Sequence, residues 1–254
     1  MSEALIQFLD VHKSFGSQTV LNGVNLTIHK GETTTIIGRS GGGKSVLLKH
    51  VAGLLQPDAG KILYRGHDLA QLKRSEWKKM KSKFSYMFQS MALFDSMTNY
   101  DNIALPLREK TKMSETRICA EVGKMLELLE LQNCTGKYPS QISGGMRKRV
   151  ALARALITKP EIVMFDEPDT GLDPIRKTAV YDMIQTFQKH FGFTAIVVSH
   201  EIPDIFRISN RVAMLDNGKI IYEGSSTDVM HCDVPLVQDF LAGRSSSEAN
   251  ENLN

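Results

Sequence analysis

A glycine-rich run that contains one lysine and ends in serine is the clearest sign of chemistry in this sequence. The run consists of Gly38, Arg39, Ser40, Gly41, Gly42, Gly43, Lys44 and Ser45. It follows the strand-like residues 35–37 and precedes the helix-like segment 46–51, which is the setting of a phosphate loop of the pattern GxxxxGKS. Glycines let backbone N–H groups converge on phosphate oxygens, and the following helix directs its positive end at the same oxygens. The sequence therefore predicts that the chain binds a nucleoside triphosphate, with Lys44 at the β- and γ-phosphates and Ser45 on Mg²⁺.

Two adjacent carboxylates, Asp166 and Glu167, follow the apolar run 162–165. A continuous apolar run of this length is typical of a buried parallel strand, and it places both carboxylates at the strand's carboxyl end. Beside a phosphate loop, one carboxylate can hold Mg²⁺ through water, and its neighbour can polarise an attacking water molecule. We therefore assign Asp166 to the metal and Glu167 to the water.

Gln89 and His200 each follow a further apolar strand, 84–88 and 194–198. In a parallel α/β sheet, ligands lie beyond the carboxyl ends of the strands. We expect Gln89 to contact the Mg²⁺ shell or the attacking water, and His200 to contact the γ-phosphate. A purely structural hydrogen bond is the alternative for each. Phe15, just before a predicted turn, either stacks on the base of the nucleotide or belongs to the core.

The order of the predicted elements indicates an α/β fold with a mixed sheet. Residues 5–30 read as antiparallel strands, and strands alternate with helices in most of the remaining chain. One long stretch instead has amphipathic helical patterns with few strand signals. The predicted units are a core of residues 1–97 and 159–244, a helical subdomain of residues 98–158 inserted in it, and a polar, disordered tail of residues 245–254.

Composition excludes some classes of protein. The 254 residues carry a net charge of +3, which argues against dedicated nucleic-acid binding. The lysine-rich segment 69–83 is predicted to be a helix with a solvated charged face. The three cysteines form no C-x-x-C pair, which favours reduced thiols in a cytosolic protein. Because no apolar run is long enough to span a bilayer and the first residues lack a signal-peptide pattern, we expect any membrane role to come through a partner.

With these motifs in place, the chain resembles the ATP-binding-cassette (ABC) ATPases over nearly its whole length. The matching motifs are a Walker A motif at 38–45, a Q-loop at Gln89, a signature at 142–146, a Walker B motif at 162–166 followed by Glu167, a D-loop at 170–173 and a switch histidine at His200. Two positions depart from the family pattern: the base-stacking aromatic, often Tyr, is Phe15, and the usual Gln of the signature is Met146. The resemblance implies an ABC-type P-loop NTPase fold that uses ATP and Mg²⁺.

The resemblance also implies a mechanism that needs two chains. Cassette ATPases dimerise head to tail, so that the signature of one subunit covers the ATP held by the phosphate loop of the other. Ser143, Gly144 and Gly145 would take that role here, with Asp173 of the D-loop beside them. A helix start with small residues can approach a γ-phosphate closely with N–H and hydroxyl donors. The resemblance therefore implies a homodimer that closes on ATP and opens after hydrolysis.

Shorter strings resemble the phospholipid-trafficking cassette ATPases that work with MCE proteins, as in the Mla lipid-asymmetry system of Gram-negative bacteria. The strings are the signature Ser-Gly-Gly-Met-Arg and the segments 88–95, 101–107, 197–203 and 237–241. This resemblance implies an ATPase subunit that moves phospholipid between inner and outer membrane. It would lie on the cytoplasmic face of the bacterial inner membrane beneath a permease dimer, with a periplasmic MCE protein and a STAS-domain subunit as partners and no nucleic acid.

Two alternatives to this function remain at the level of sequence. One is a soluble cassette ATPase that acts on DNA or the ribosome, although such relatives usually carry a long coiled-coil insertion or two cassettes. The other is a non-hydrolysing regulatory cassette, against which the intact Lys44, Asp166, Glu167 and His200 argue.

The resemblance further implies a groove in which a short helix of the permease docks. We expect it to be lined by apolar residues just after the Q-loop, or else these residues pack inside the helical subdomain. The residues are Met91, Leu93, Phe94 and Met97.

Overall fold

A computed structural model describes residues 2–243, and its strands form two sheets. The strands are β1 (Ala4–Phe15), β2 (Gln18–His29), β3 (Thr33–Ile37), β4 (Ala59–Tyr64), β5 (His67–Asp68), β6 (Phe84–Met87), β7 (Ile162–Asp166), β8 (Thr194–Val198), β9 (Arg211–Asp216) and β10 (Lys219–Ser225). The helices are α1 (Lys44–Val51), α2 (Arg74–Lys81), α3 (Asn99–Lys110), α4 (Glu115–Leu128), α5 (Gly144–Leu156), α6 (Pro174–Phe191) and α7 (Pro235–Leu241). The predicted tail, 245–254, lies outside the described residues.

The smaller sheet is antiparallel and has the strand order β2-β1-β4-β5. The larger sheet has the order β10-β9-β3-β8-β7-β6, in which the five strands from β9 to β6 run parallel and β10 pairs antiparallel at the edge. These pairings confirm the mixed sheet and the N-terminal antiparallel strands. They also bring the carboxyl ends of β3, β6, β7 and β8 to one edge, as expected for parallel strands.

The central strands of the larger sheet are buried on both faces. Every residue of β3, β7 and β8 is buried, which explains why these segments have no alternation of polar and apolar residues. Three threonines, 33–35, lie among them, and the Thr35 hydroxyl hydrogen-bonds to the hydroxyl of Ser209 at 2.6 Å. Thr35 is tolerated in this core because its hydroxyl has a partner.

Helices α3, α4 and α5 occupy most of the stretch from residue 98 to residue 158. In α4 and just beyond it, the apolar positions predicted from helical spacing are all buried: Ile118, Val122, Met125, Leu126 and Leu129. They belong to one apolar cluster that continues to Phe165 of β7 and Tyr181 of α6. The helices therefore pack on one face of the larger sheet, next to the edge where β6 and β7 end.

Asn102 of α3 connects the segment after β6 to these helices. Its side-chain oxygen accepts a hydrogen bond from the Phe94 backbone N–H at 2.8 Å, and its amide donates to the carbonyls of Phe94, Met97 and Thr98 at 3.0, 3.3 and 3.1 Å. The side chain is fully buried. One residue thus satisfies four backbone groups of a segment that has no regular secondary structure.

Replacing Asn102 with Ala is expected to lower the free energy of unfolding by about 2–3 kcal/mol, because the Phe94 N–H and the Met97 carbonyl lose their side-chain partner and a fully buried amide is removed. Urea unfolding followed by circular dichroism measures this change. Asn133→Ala is the matched control, since Asn133 is exposed, and its effect should stay within about 0.5 kcal/mol. Equal stabilities of the two variants would show that Asn102 does not hold the segment.

Candidate functional site

The structure brings the residues predicted for catalysis together at one edge of the larger sheet. The phosphate loop follows β3, Gln89 follows β6, Glu167 follows β7 and His200 follows β8. The Gln89 amide donates to Glu167 Oε2 at 3.1 Å, and His200 Nδ1 lies 3.6 Å from Glu167 Oε1. Glu167 is therefore the carboxylate that both other side chains face.

Lys44 begins α1 and is almost completely buried, with 4% of its surface exposed. Its ammonium donates to the carbonyls of Gly38 and Arg39 at 2.8 and 2.9 Å. Burial lowers the pKa of Lys44, and the charges of Glu167 and Asp166 act in the opposite direction. A positive charge with so little water around it is a strong attractor for an anion that enters the loop.

Two glycines of the loop have no room for a side chain. Gly38 has a φ of +145°, and a Cβ there would lie 2.2 Å from the carbonyl oxygen of Leu215. Gly43, with a φ of +96°, would place a Cβ 2.8 Å from Cγ1 of Val20. The backbone of the loop is thus held against β9 on one side and β2 on the other, in a conformation that favours glycine.

Asp166 accepts hydrogen bonds from two hydroxyl groups, one in the phosphate loop and one in the sheet. Ser45 donates to Asp166 Oδ1, and Tyr86 of β6 donates to Asp166 Oδ2, both at 2.7 Å. Burial and the neighbouring carboxylate raise the pKa of Tyr86, so the phenol stays a donor. Sequence analysis did not identify Tyr86, because nothing in an apolar strand distinguishes this aromatic from a core residue.

The backbone at Glu167 has a φ of +47°, which is uncommon for a residue with a side chain. Its N–H donates to the carbonyl of Val198 at 3.0 Å, and its Oε2 accepts from the hydroxyl of Thr170 at 3.0 Å as well as from Gln89. These contacts fix the direction of the carboxylate. Unusual backbone conformations of this kind are frequent at functional sites.

Asp169, which sequence analysis also missed, is fully buried beneath this edge of the sheet. Its Oδ2 accepts hydrogen bonds from the hydroxyls of Tyr181 and Ser199, the latter at 2.6 Å. The Ser199 hydroxyl in turn accepts from the Glu201 N–H at 3.0 Å. The carboxylate thus ties the segment after Glu167 to the segment that contains His200.

The other predicted ligand residues lie at the starts of α5 and α6 and at the end of β1. Ser143 begins α5, where its hydroxyl accepts from the Met146 N–H at 3.3 Å, and both Ser143 and Gly145 are exposed. Asp173 caps the start of α6 in the same way, since its carboxylate accepts a hydrogen bond from the Arg176 N–H at 3.0 Å. Phe15 is 47% exposed, which removes it from the core and leaves stacking on a base as a prediction.

The oxygen atoms beside the phosphate loop are better ligands for Mg²⁺ than for a transition metal. Within residues 2–243, no group of three or more His, Cys, Asp or Glu side chains could hold a metal ion. Mg²⁺ is usually held by one or two carboxylates together with substrate phosphates and water. Ser45 and Asp166, already in contact beside the phosphate loop, have the chemistry for such a site.

Comparison with known proteins gives relatives that cover nearly all of this chain. MlaF of Haemophilus influenzae, the ATP-binding protein of an intermembrane phospholipid transport system, is 36% identical over 245 residues, which are 96% of this chain and 93% of MlaF. MlaF of Escherichia coli K12 is 36% identical over 94% of this chain and 89% of its own length. The probable ribonucleotide transport ATP-binding protein mkl of Mycobacterium tuberculosis H37Rv is 40% identical over 91% of this chain, which spans 65% of the length of mkl.

Solved structures have the same fold. A dimeric structure of MJ0796, a bacterial ABC transporter cassette, matches with a TM-score of 0.78 and 30% identity over 87% of this chain and 99% of that one. Another dimeric structure of MJ0796, in a post-hydrolysis state bound to ADP and Pi, has a TM-score of 0.77 and the same 30% identity, again over 87% and 99% of the two chains. The fold of cbiO1 from Clostridium perfringens is similar as well, with a TM-score of 0.82 and 24% identity over 99% of both chains.

The profile of the ABC transporter family matches residues 21–170, which is more than half of the chain. The matched span contains the phosphate loop, Gln89, the segment 142–146 and the pair Asp166–Glu167. This chain belongs to the ABC transporter family.

Proposed function

We propose that this chain is the ATP-hydrolysing subunit of a membrane transporter that moves phospholipid. The observation that carries the proposal is the contact of Gln89 and His200 with Glu167 next to a phosphate loop whose Lys44 is buried. The choice of phospholipid rests on MlaF, which this chain matches over most of both lengths, whereas it spans 65% of mkl. No observation favours a protein that acts on DNA or the ribosome.

Binding of ATP is assigned to the phosphate loop and to Phe15, the last residue of β1. Gly38 to Gly43 would surround the phosphates with backbone N–H groups, and the Lys44 ammonium would leave the loop carbonyls for the β- and γ-phosphate oxygens. Phe15 would stack on the base. Ser45, Asp166 and Gln89 would hold Mg²⁺, which would supply positive charge next to the phosphates.

Hydrolysis is assigned to Glu167. The carboxylate accepts a proton from the attacking water as the water oxygen bonds to the γ-phosphorus and the bond to the bridging oxygen of ADP breaks. Thr170 and Gln89 hold one carboxylate oxygen, so the other faces His200. His200 would donate to a γ-phosphate oxygen and thereby stabilise the negative charge of the transition state.

Two chains are proposed to enclose ATP between them. Ser143 and Gly145 are exposed at the start of α5, and a Cβ added at Gly145 would meet nothing within 4 Å, so a phosphate can approach this helix start closely. The similar cassette MJ0796 is dimeric in both of its structures described above. In our proposal, Ser143, Gly144, Gly145 and Asp173 of one subunit contact the ATP bound by the other.

A groove beside the segment after Gln89 is the proposed docking site for the permease. It has a volume of about 550 Å³, and its lining includes the exposed side chains of Leu54, Phe88 and Phe94. Of the four apolar residues expected here, Phe94 lines this groove, whereas Met91 and Leu93 pack against the buried apolar cluster of the helices, which was the alternative for these residues. Met97 is not part of the lining.

In the proposed assembly, this chain is peripheral to the membrane. None of the helices between residues 2 and 243 is both long and apolar enough to cross a bilayer. We propose that a dimer of this chain lies on the cytoplasmic face of the bacterial inner membrane beneath a permease dimer. An MCE protein and a STAS-domain subunit complete the proposed complex, which contains no nucleic acid.

Replacing Glu167 with Gln is expected to preserve ATP binding and to lower hydrolysis by about 10²–10⁴-fold, the usual contribution of a positioned general base. Because the nucleotide then persists between the subunits, ATP should convert the variant into a stable dimer. Phosphate release and light scattering after size-exclusion chromatography measure the two effects. Turnover close to that of the unchanged protein would remove Glu167 from the role of base.

The same background tests whether the start of α5 acts on the partner's ATP. Adding Ser143→Arg to Glu167→Gln should abolish the ATP-dependent dimer and leave nucleotide binding by the monomer intact. If Ser143→Arg instead abolished binding by the monomer, Ser143 would serve the phosphate loop of its own chain.

Phe94→Ala is expected to preserve the melting temperature and ATP affinity of the isolated chain, because the Phe94 side chain is 48% exposed. A tagged variant should nevertheless recover much less permease than the unchanged chain when purified from its own host. Leu236→Ala is the matched control, since Leu236 is 47% exposed and lies outside the groove. Normal permease recovery with Phe94→Ala would contradict the docking site.

A further inference from the structure

Helix α2 and its flanks form a strongly basic surface that the proposed chemistry does not use. Six cations and one acid lie within residues 73–83, whereas the whole chain carries only +3. The rest of the chain is therefore net negative, and positive charge is concentrated on this element. The cations, all exposed, are Lys73, Arg74, Lys78, Lys79, Lys81 and Lys83. We call them the α2 basic surface.

Neighbouring side chains neutralise little of this charge. Within residues 2–243, Lys83 is the one member of the α2 basic surface that forms a salt bridge, at 3.6 Å from Glu161. Lys81 lies over the ring of Trp77, 5.2 Å from its centroid. The single acid, Glu76, accepts a hydrogen bond from the Lys73 N–H at 2.8 Å and so stabilises the start of the helix. The charge on the outer face of α2 thus remains available to a partner.

The opposite face of α2 holds the helix rigidly on the core. Met80 is buried, and Trp77 packs on Gly53, where an added Cβ would lie 2.3 Å from the indole ring. At 100° per residue, Lys78 and Lys79 lie on the side away from these two anchors. The cations are therefore presented on a fixed outer face.

The α2 basic surface, as a whole, adjoins the groove proposed for the permease. Lys81, at the end of α2, lines that groove together with Phe84 and Phe88. Any bilayer that holds a permease seated in the groove would lie on this side of the chain. Its cytoplasmic leaflet is negatively charged, and a row of exposed lysines is attracted to such a surface without a shaped pocket.

We propose that the α2 basic surface binds the anionic headgroups of the membrane that holds the permease. The orientation towards the membrane rests on the proposed function, whereas the charge itself does not. Trp77 is half-buried against Gly53, so the surface lacks the exposed aromatic groups on which nucleic-acid bases stack. A diffuse, flat array of cations fits lipid headgroups better than bases.

The test uses the full chain and vesicles without permease. Vesicles of phosphatidylcholine alone are compared with vesicles that contain about 40% phosphatidylglycerol, at about 50 and 500 mM NaCl. The chain should sediment with the anionic vesicles at low salt and with neither kind at high salt. Failure to prefer the anionic vesicles would overturn the proposal without affecting the assigned ATP site.

A double substitution locates the binding surface. Lys78→Gln with Lys79→Gln should weaken binding to anionic vesicles by about 25-fold, since each cation near such a surface contributes about fivefold. The control, Lys189→Gln with Lys219→Gln, removes the same charge from exposed positions on α6 and β10 and should change binding less than about threefold. Equal losses in both variants would show that only net charge matters.

Two further readouts separate this proposal from its competitors. ATP affinity and melting temperature should be the same in both double variants, because neither touches the nucleotide site or the core. If the chain bound a polyglutamate peptide or duplex DNA at low salt but not the anionic vesicles, the α2 basic surface would belong to an acidic protein or nucleic-acid partner, and the lipid proposal would fail. If Phe94→Ala lost permease recovery but still bound anionic vesicles, the lipid proposal would be supported as independent of the docking site.

Discussion

The hydrogen bond between Ser45 and Asp166 joins two segments that lie 121 residues apart in the chain. Through it the phosphate loop is fixed to β7, and Tyr86 extends the same link to β6. Glu167, the next residue, is thereby placed relative to the phosphate loop. If β7 shifted by one residue relative to β6, Asp166 would move to the other face of the sheet. Ser45 of the phosphate loop would then lose the carboxylate that accepts its hydrogen bond.

The sequence was sufficient to predict which edge of the sheet carries the site residues, because that depends only on where each parallel strand ends. Gln89, Glu167 and His200 each end a predicted strand, and parallel strands bring their carboxyl ends to one edge. The contacts of Tyr86, Thr170 and Asp169 did not follow, because they depend on strand register and on a turn with an unusual φ at Glu167. Sequence patterns indicate which face a residue occupies, but not which partner it meets.

The groove illustrates the same limit in a different way. The apolar residues after Gln89 were expected either to line the groove or to pack inside the helical subdomain, and the structure divides them: Phe94 is exposed in the groove, while Met91 and Leu93 pack inward. Leu54 and Phe88, which complete the lining, come from other parts of the chain. A groove made from separate elements is visible only after the chain has folded.

Lys44 provides the most direct test of the central claim that the phosphate loop binds nucleotide. Lys44→Ala should weaken ATP binding by about 10- to 100-fold, since charge-assisted hydrogen bonds to phosphate are lost. It should not destabilise the nucleotide-free chain, because the desolvation that lowers the pKa of Lys44 outweighs the opposing charges of Glu167 and Asp166 there. Titration calorimetry with ATP against the exposed-site control Lys49→Ala gives the result. An ATP affinity of Lys44→Ala equal to that of the control would contradict the account.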